Sequence, residues 1–401
     1  MNIAFISYWS CPLTPLGVLT AGGMNVYELN LANSLDKSGH KVDIFTRTHK
    51  QKDEISISVH KDVRVIHLPS LNNDDHYLAA QSFFNRMLEF IEKNSLSYQV
   101  IHAHYFFSGL VGIKLKKSLR IPMVQTFHTL GIMKKLYGKV IDEKRIKAEK
   151  EIIKKADGII AATALEVKDL LKHYSAKKDK IFEISPGVDH RVFKKLNIKT
   201  SRTKLHLPLN KKIILFVGRI DPIKGINLLI EAVSILSKKY PSFENNFYVL
   251  LIGGDINSRK FWLDREVRKI SQLILDKKLE CCVKFIGSRP HYLLPYYYSA
   301  ANVMVMPSVY ESFGLVVLES MACGSAIVAS KVGGLAYLVK DNFNGRLFKS
   351  NNVMSLSTIL WELLNDKKQR ESLGRMAEKS SQKFCWAKQA LKIVKVYNKL
   401  I

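Results

Sequence analysis

The chain is short of cysteine, of acidic residues and of long apolar runs. Its five cysteines (Cys11, Cys281, Cys282, Cys323 and Cys385) are an odd number and form no C-x-x-C pair. That argues against both a disulfide framework and a cysteine-built zinc site. No stretch supplies the ~18 consecutive apolar residues that a membrane-spanning helix requires. The opening "MNIAFISYWS" enters an apolar run without a basic region or a small-residue cleavage site, so it does not read as a signal peptide. These absences predict a cytoplasmic protein. No D-x-D metal motif, no G-x-G-x-x-G, no internal repeat and no low-complexity tract is found.

The scarcity of acids gives a net charge of +27, from 62 Lys and Arg against 35 Asp and Glu. A basic surface can meet nucleic acid, an anionic membrane or phosphorylated substrates. Lysine outnumbers arginine about three to one, with frequent Ile and Asn, so the charge is equally consistent with a general lysine preference. The densest block, "KKLYGKVIDEKRIKAEKEIIKK" (134–155), mixes four acids among its bases and reads as a solvated helix face. Dispersed charge without interleaved aromatics speaks against nucleic acid.

What the chain does have is 401 residues and 47% hydrophobic side chains, enough for two cores. Short apolar runs alternate with 3.6-period segments almost throughout. The first half offers "NIAFIS", "KVDIFT", "VRVIHL", "QVIHAH", "PMVQTFH", "GIIAAT" and "IFEISPG", with helical stretches at Val26–Ser38 and Leu78–Asn94. The second half restarts with "KIILFVG", "FYVLLIGG", "VKFIGS", "VMVMPS" and "AIVAS". Runs this apolar suit parallel strands covered by helices on both faces. The fold class expected is therefore α/β, two Rossmann-like doubly wound domains facing a cleft. The first domain spans 1–190 and the second 191–383, with a polar connector around "PGVDHRVFKKLNIKTSRTKLHLPLNKK". A C-terminal amphipathic helix, 384–401, is expected to pack back on the first domain.

Candidate chemistry follows the strands. In "TAGGMNVYELNLA", Gly22 and Gly23 let the backbone approach a ligand at a helix N-terminus, although a GG pair alone is a weak signal. In "FVGRIDPIKG", Arg219 and Lys224 lie at a strand exit, where two cations suit a diphosphate. In "VYESFGLVVLES", Ser312 is the expected N-cap of a helix starting near Phe313, leaving the amides of Phe313, Gly314 and Leu315 free for oxygens. Glu319 then falls in the second turn, roughly 9 Å along the axis. Two carboxylates so separated suit gripping the ends of a long polar ligand better than sharing one scissile bond.

Taken in order, "GGMNVYELNLANSLDKSGHKVDIFTR", "HAHYFFSG", "QTFHTLG", "SPGVDHRVF", "FVGRIDPIKG", "PSVYESFGLVVLESMACG" and "KVGGLAYLVKDNFNGRLF" span nearly the whole chain. As a set, with Glu311 and Glu319 in an E-x7-E element, they resemble the retaining glycosyltransferases of family 4, which have the GT-B fold. The similarity is greatest to the subgroup holding sucrose-phosphate synthase and the D-inositol 3-phosphate glycosyltransferases. The resemblance implies that Glu319 binds a nucleotide's ribose, Glu311 the donor sugar, and Arg219 and Lys224 the diphosphate. It places Arg289 against the base and Gly23 near the phosphate from the opposite domain. Phe313, Gly314 and Leu315 supply backbone donors, and His128 in "TFHT" touches the donor sugar near the anomeric carbon. Asn25, Tyr105, Thr129 and Arg145 match positions that hold a phosphorylated acceptor. One departure stands at "LNNDDHYL", where those enzymes carry a lysine and this chain has Asn72 or Asn73.

The implied reaction moves a hexose or N-acetylhexosamine from a nucleotide-diphosphate sugar, a UDP-sugar being the expected donor, to a polar small molecule that can be phosphorylated. No cofactor or protein-held metal is required, although Mg2+ can accompany the nucleotide. An alternative within the same family is transfer to a lipid-linked or membrane-bound glycan, with the basic surface in peripheral contact with the anionic inner face of the membrane.

Overall fold

In a computed structural model, described for residues 1–14, 22–48, 55–71, 75–138, 140–240 and 246–401, the apolar runs become the strands of two sheets. Asn72 and Asn73 lie outside the described residues. The chain divides into two compact units. One comprises Met1–Thr14, Gly23–Gly187 and Trp386–Ile401, and the other comprises Val188–Cys385.

The first unit holds β1 (Asn2–Ile6), β2 (Lys41–Arg47), β3 (Ser56–His60), β4 (Val63–Leu68), β5 (Val100–His104), β6 (Met123–Thr126), β7 (Gly158–Ala161) and β8 (Ile181–Glu183). Their order is β3-β4-β2-β1-β5-β6-β7-β8, parallel except for β3. All residues of β5, β6 and β7 are buried, as continuous apolar runs require. β3 has no counterpart among the sequence expectations. Its "SISVH" alternates exposed and half-buried positions at a sheet edge, so it lacks the apolar run that marks the others. The helix Trp386–Leu400 belongs to this unit. Its Trp386, Ala390, Ile393, Val396 and Tyr397 share one core with Tyr27, Leu31 and Leu35 of the helix Gly23–Asp36.

The second unit holds β9 (Lys212–Val217), β10 (Phe247–Ile252), β11 (Val283–Phe285), β12 (Val303–Met306), β13 (Ile327–Ser330) and β14 (Arg346–Phe348). The order is β11-β10-β9-β12-β13-β14, all parallel. In both sheets the order reverses beside the first strand, between β1 and β5 and between β9 and β12. In open α/β sheets ligands bind beyond the strand ends at such a reversal.

The polar stretch read as a connector is ordered within the second unit. It contains the helix Ile198–Lys204, whose Arg202 is buried. The Arg202 guanidinium donates to the carbonyls of Ala300, Pro208, Leu209 and Lys211 and to Asn302 Oδ1 at 2.8–3.3 Å. A basic residue that reads as linker by composition is thus a staple. Likewise the mixed-charge block carries the helix Glu143–Lys155, which is solvated on one face but buries Arg145, Ile146, Glu149 and Ile152 on the other.

Candidate active site

In the second unit the loops after β9 and β12 lie at the order reversal. Asp221 accepts from the amide of Ile223 at 3.0 Å and starts the turn Pro222–Lys224, after which the helix Ile226–Lys239 begins. This turn delivers Lys224 Nζ to the Glu311 carboxylate. Both side chains of this ion pair are 15% exposed. Arg219 is 45% exposed, with Nη2 4.0 Å from Asp221 Oδ2.

The E-x7-E helix differs at its start from the sequence expectation. It spans Leu315–Ala322, and Gly314, not Ser312, is its cap, in the left-handed region with φ 99°. A left-handed cap favours glycine, which is why the turn passes beyond the serine. The loop before it is braced from behind: Gly334 N donates to Glu311 O at 2.8 Å. A Cβ on Gly334 would stand 2.2 Å from Phe313 Cα, so "VGG" is needed for this approach. The helix start leaves amides of its first turn without intrahelical partners and favours negative charge there.

Glu319 is buried, and its carboxylate is held on both oxygens. His291 Nε2 lies 2.9 Å from Oε1, and the Tyr298 hydroxyl donates to Oε2 at 3.0 Å. Burial works against a charged His291, yet the Glu319 carboxylate outweighs it and raises the imidazole's pKa. His291 and Tyr298 were not among the sequence candidates. His291 stands two residues after Arg289 in the same loop, the one signal that could have marked it. Arg289 Nε donates to the Tyr297 hydroxyl at 3.2 Å. The structure thus joins Glu311 with Lys224, and Glu319 with His291 and Tyr298.

In the first unit Gly23 opens the helix Gly23–Asp36. Asn25 is buried, and its amide donates to Ser10 Oγ at 2.9 Å and to the Cys11 carbonyl at 2.6 Å. Tyr105, Thr129 and Arg145 form one cluster. Arg145 donates from Nη1 to the Tyr105 hydroxyl at 3.1 Å and from Nη2 to the Thr129 carbonyl and hydroxyl at 2.8 and 3.2 Å. Its Nε donates to Glu149 at 2.8 Å. Burial opposes the guanidinium charge, but Tyr105 and Glu149 more than restore it, and the pKa is raised. A cavity of about 460 Å³ opens here, lined by Trp9, His76, Tyr77, Tyr105, Phe107 and Arg145 among others.

His128 follows β6 in the left-handed region, φ 59°. Its ring stacks on His104 at 5.3 Å, with His104 Nδ1 3.1 Å from His128 Nε2. His104 stacks in turn on His102 at 4.3 Å. His102 contacts the Thr126 hydroxyl at 2.8 Å and the Tyr397 hydroxyl at 2.6 Å. Burial drives all three imidazoles to stay neutral: the pKa falls to about 3 for His102 and His128, and well below its ordinary value for His104. Among the described residues, Glu28, His104 and His128 form a group whose potential ligand atoms lie within 4.8 Å of one another.

Two family models match the chain. Glycosyltransferase Family 4 covers residues 21–192 and Glycosyl transferases group 1 covers residues 197–380. The D-inositol 3-phosphate glycosyltransferase of Corynebacterium glutamicum is 33% identical over 100% of this chain and 97% of its own length. Among solved structures, sucrose-phosphate synthase from Thermosynechococcus elongatus superposes with a TM-score of 0.90 at 31% identity, covering 100% of this chain and 98% of that one. The fold is also that of Anabaena Alr3699/HepE, solved in complex with UDP and glucose, with a TM-score of 0.78 at 20% identity and 100% coverage of both chains. Among the described residues no helix is long and apolar enough to cross a membrane. The chain belongs to the retaining glycosyltransferases of family 4, with the GT-B fold.

Proposed function

We propose that this glycosyltransferase moves a hexose or N-acetylhexosamine from a nucleotide-diphosphate sugar, a UDP-sugar in the first instance, to a phosphorylated small molecule. The observation that carries the donor half is the meeting of Lys224 and Glu311 in front of a helix start, at the order reversal of the second sheet. Lys224, Arg219 and the amides of Phe313, Gly314 and Leu315 hold the diphosphate. Glu311 accepts from donor-sugar hydroxyls and Glu319 from the ribose, its carboxylate aimed by His291 and Tyr298. Arg289 lies along the base, Gly23 allows close approach to phosphate, and His128 takes a hydrogen bond from the donor sugar.

With retention, the bond from the anomeric carbon to the diphosphate oxygen breaks on the face where the acceptor hydroxyl attacks. The new bond joins that carbon to the acceptor oxygen, and the hydroxyl proton passes to the leaving diphosphate. No side chain becomes a nucleophile. The chain's part is to stabilise negative charge on the leaving group, for which fixed cations and amides are suited. A divalent ion arriving with the nucleotide is compatible with this, and no step depends on it.

For the acceptor, the Arg145 guanidinium beside the aromatic-lined cavity favours a phosphate, with Tyr105 and Thr129 orienting it and Asn25 fixing the loop behind it. The name of the Corynebacterium relative supports an inositol phosphate as the first compound to try. Nucleotide release should be measured from UDP-, GDP- and ADP-sugars with inositol phosphates, hexose phosphates and their unphosphorylated forms. Release that depends on the acceptor's phosphate supports the reading. Equal rates with the dephosphorylated compounds refute its acceptor half.

A further inference from the structure

Among the buried polar atoms of the first unit without a hydrogen-bond partner are Glu28 Oε1 and His104 Nε2. They belong to neighbouring side chains in the group that ends at His128. Ser7 supplies the information that orders the group. Its Oγ is 2.7 Å from the Ser10 carbonyl and 2.8 Å from Glu28 Oε2. A serine hydroxyl has one proton, and a carbonyl can only accept. Unless Ser7 shares its one proton between the two oxygens, both contacts are full hydrogen bonds when Ser7 donates to Ser10 and Glu28 Oε2 carries a proton and donates to Ser7. Glu28 is then a neutral acid whose Oε1 is a carbonyl-type acceptor. Burial of its carboxyl raises the pKa in the same sense.

We infer that Glu28 and His104 are positioning residues that fix the tautomer of His128 through a one-way chain of hydrogen bonds starting at the Ser10 carbonyl. Glu28 Oε1 and His104 Nε2 are both without a partner and belong to one group within 4.8 Å, and such a buried acceptor and ring nitrogen satisfy each other when the nitrogen carries the proton and donates. With the proton on Nε2, His104 Nδ1 is an acceptor. The 3.1 Å contact then requires His128 to donate from its own Nε2. His128 Nδ1 is left with a lone pair, so it accepts and does not donate. An imidazole held this way takes a hydrogen bond from a sugar hydroxyl. This last step rests on the role proposed for His128 above, whereas the tautomer order does not.

The alternative use of the same three side chains is a metal ion, which would need an ionised Glu28 and a lone pair at a ligating nitrogen of each histidine. The two arrangements differ in where the protons are, and nitrogen NMR reads that directly. The full chain, labelled with 15N-histidine, is recorded at pH 7 without substrate. The His128 resonances are assigned by their loss in His128→Gln. The expected result is neutral His104 and His128, both protonated on Nε2. Glu28→Gln keeps this pattern, because its amide donates to Ser7 and its carbonyl accepts from His104. Glu28→Leu removes both contacts, mixes the tautomers of His104 and His128 and lowers kcat about tenfold, the cost of one misdirected hydrogen bond. If the leucine variant does not fold, the wild type and Glu28→Gln spectra still decide. Protonation of His128 on Nδ1, loss of the pattern in Glu28→Gln, or stoichiometric zinc that disappears in Glu28→Gln would each overturn the inference. Correct tautomers in a chain that turns over no nucleotide-sugar would leave the relay standing and the proposed function wrong.

Discussion

The two units treat charge in opposite ways at the ends of their sheets. In the first, Arg145 and Glu149 are 6% and 0% exposed and tied to each other, and three stacked histidines stay neutral because burial forbids their charge. In the second, Lys224, Glu311 and Arg219 keep 15–45% of their side-chain surface. A buried constellation offers a ligand shape and hydrogen bonds of fixed direction. A partly exposed one keeps charge within reach of a ligand. Among the described residues the Lys224 ammonium is tied to Glu311 alone, whereas the Arg145 guanidinium is tied at once to Glu149, Tyr105 and Thr129. Replacing Arg145 should therefore cost mainly stability, and replacing Lys224 mainly catalysis.

The largest effect expected is on Arg145→Ala, which leaves the Glu149 charge buried without its cation, held by the Gly131 amide and the Tyr174 hydroxyl, and should lower unfolding free energy by about 3–5 kcal/mol. Urea denaturation measures it, and a loss below about 1 kcal/mol would erase the contrast between the units. Next comes Lys224→Ala, with kcat/KM down about 10²–10³-fold, the range for removing one donor aimed at developing negative charge. Its melting temperature should stay close to that of the wild type. A variant that unfolds instead would place Lys224 with the structural ion pairs. Glu319→Gln keeps the shape and weakens hydrogen bonds to a charged group, worth about 1.5–3 kcal/mol, so nucleotide affinity should fall roughly 10–100-fold in a titration.

The smallest expected change, when read per pH unit for a single histidine, concerns acid. In the unfolded chain each of His102, His104 and His128 takes up a proton near pH 6.5, while the folded His102 and His128 resist until about 3. Stability from these groups is thus present above pH 6.5 and drains away as the pH falls, by up to about 1.4 kcal/mol per histidine per pH unit. Glu166, raised to about 7 by burial, has the opposite sign: its contribution is present below its ordinary 4.5 and is lost as the pH rises towards 7. His104→Asn should flatten the acid limb by one histidine's share in pH-dependent urea melts. An unchanged slope would mean that the imidazole was not held neutral.

This contrast also explains what could be read from the sequence. Glu311, Arg219 and Lys224 stand at strand exits, and Glu319, inside the helix Leu315–Ala322, is marked by its E-x7-E spacing from Glu311; the parallel strands are legible as apolar runs. Glu28 was passed over because a glutamate on a helix reads as an exposed charge, and its neutral state depends on burial and on Ser7 arriving from another strand end. His291 was missed because its partner lies 28 residues away. The cap shifted from Ser312 to Gly314 because backbone geometry at the loop, braced by Gly334, outweighed side-chain capping preference. Arg202 looked like linker because its partners are carbonyls, which no side-chain pattern reports.

The second unit of this glycosyltransferase is proposed to hold a nucleotide-diphosphate sugar through Glu319 and its neighbours. The most direct test is a thermal-shift panel of UDP, GDP, ADP and their common sugars on the wild type and Glu319→Gln. At 100 times its dissociation constant a ligand stabilises by about 2.7 kcal/mol. One nucleotide should raise the melting temperature of the wild type and do so far less in Glu319→Gln at the same concentration. Equal shifts in both proteins, or none with any nucleotide, would contradict the claim.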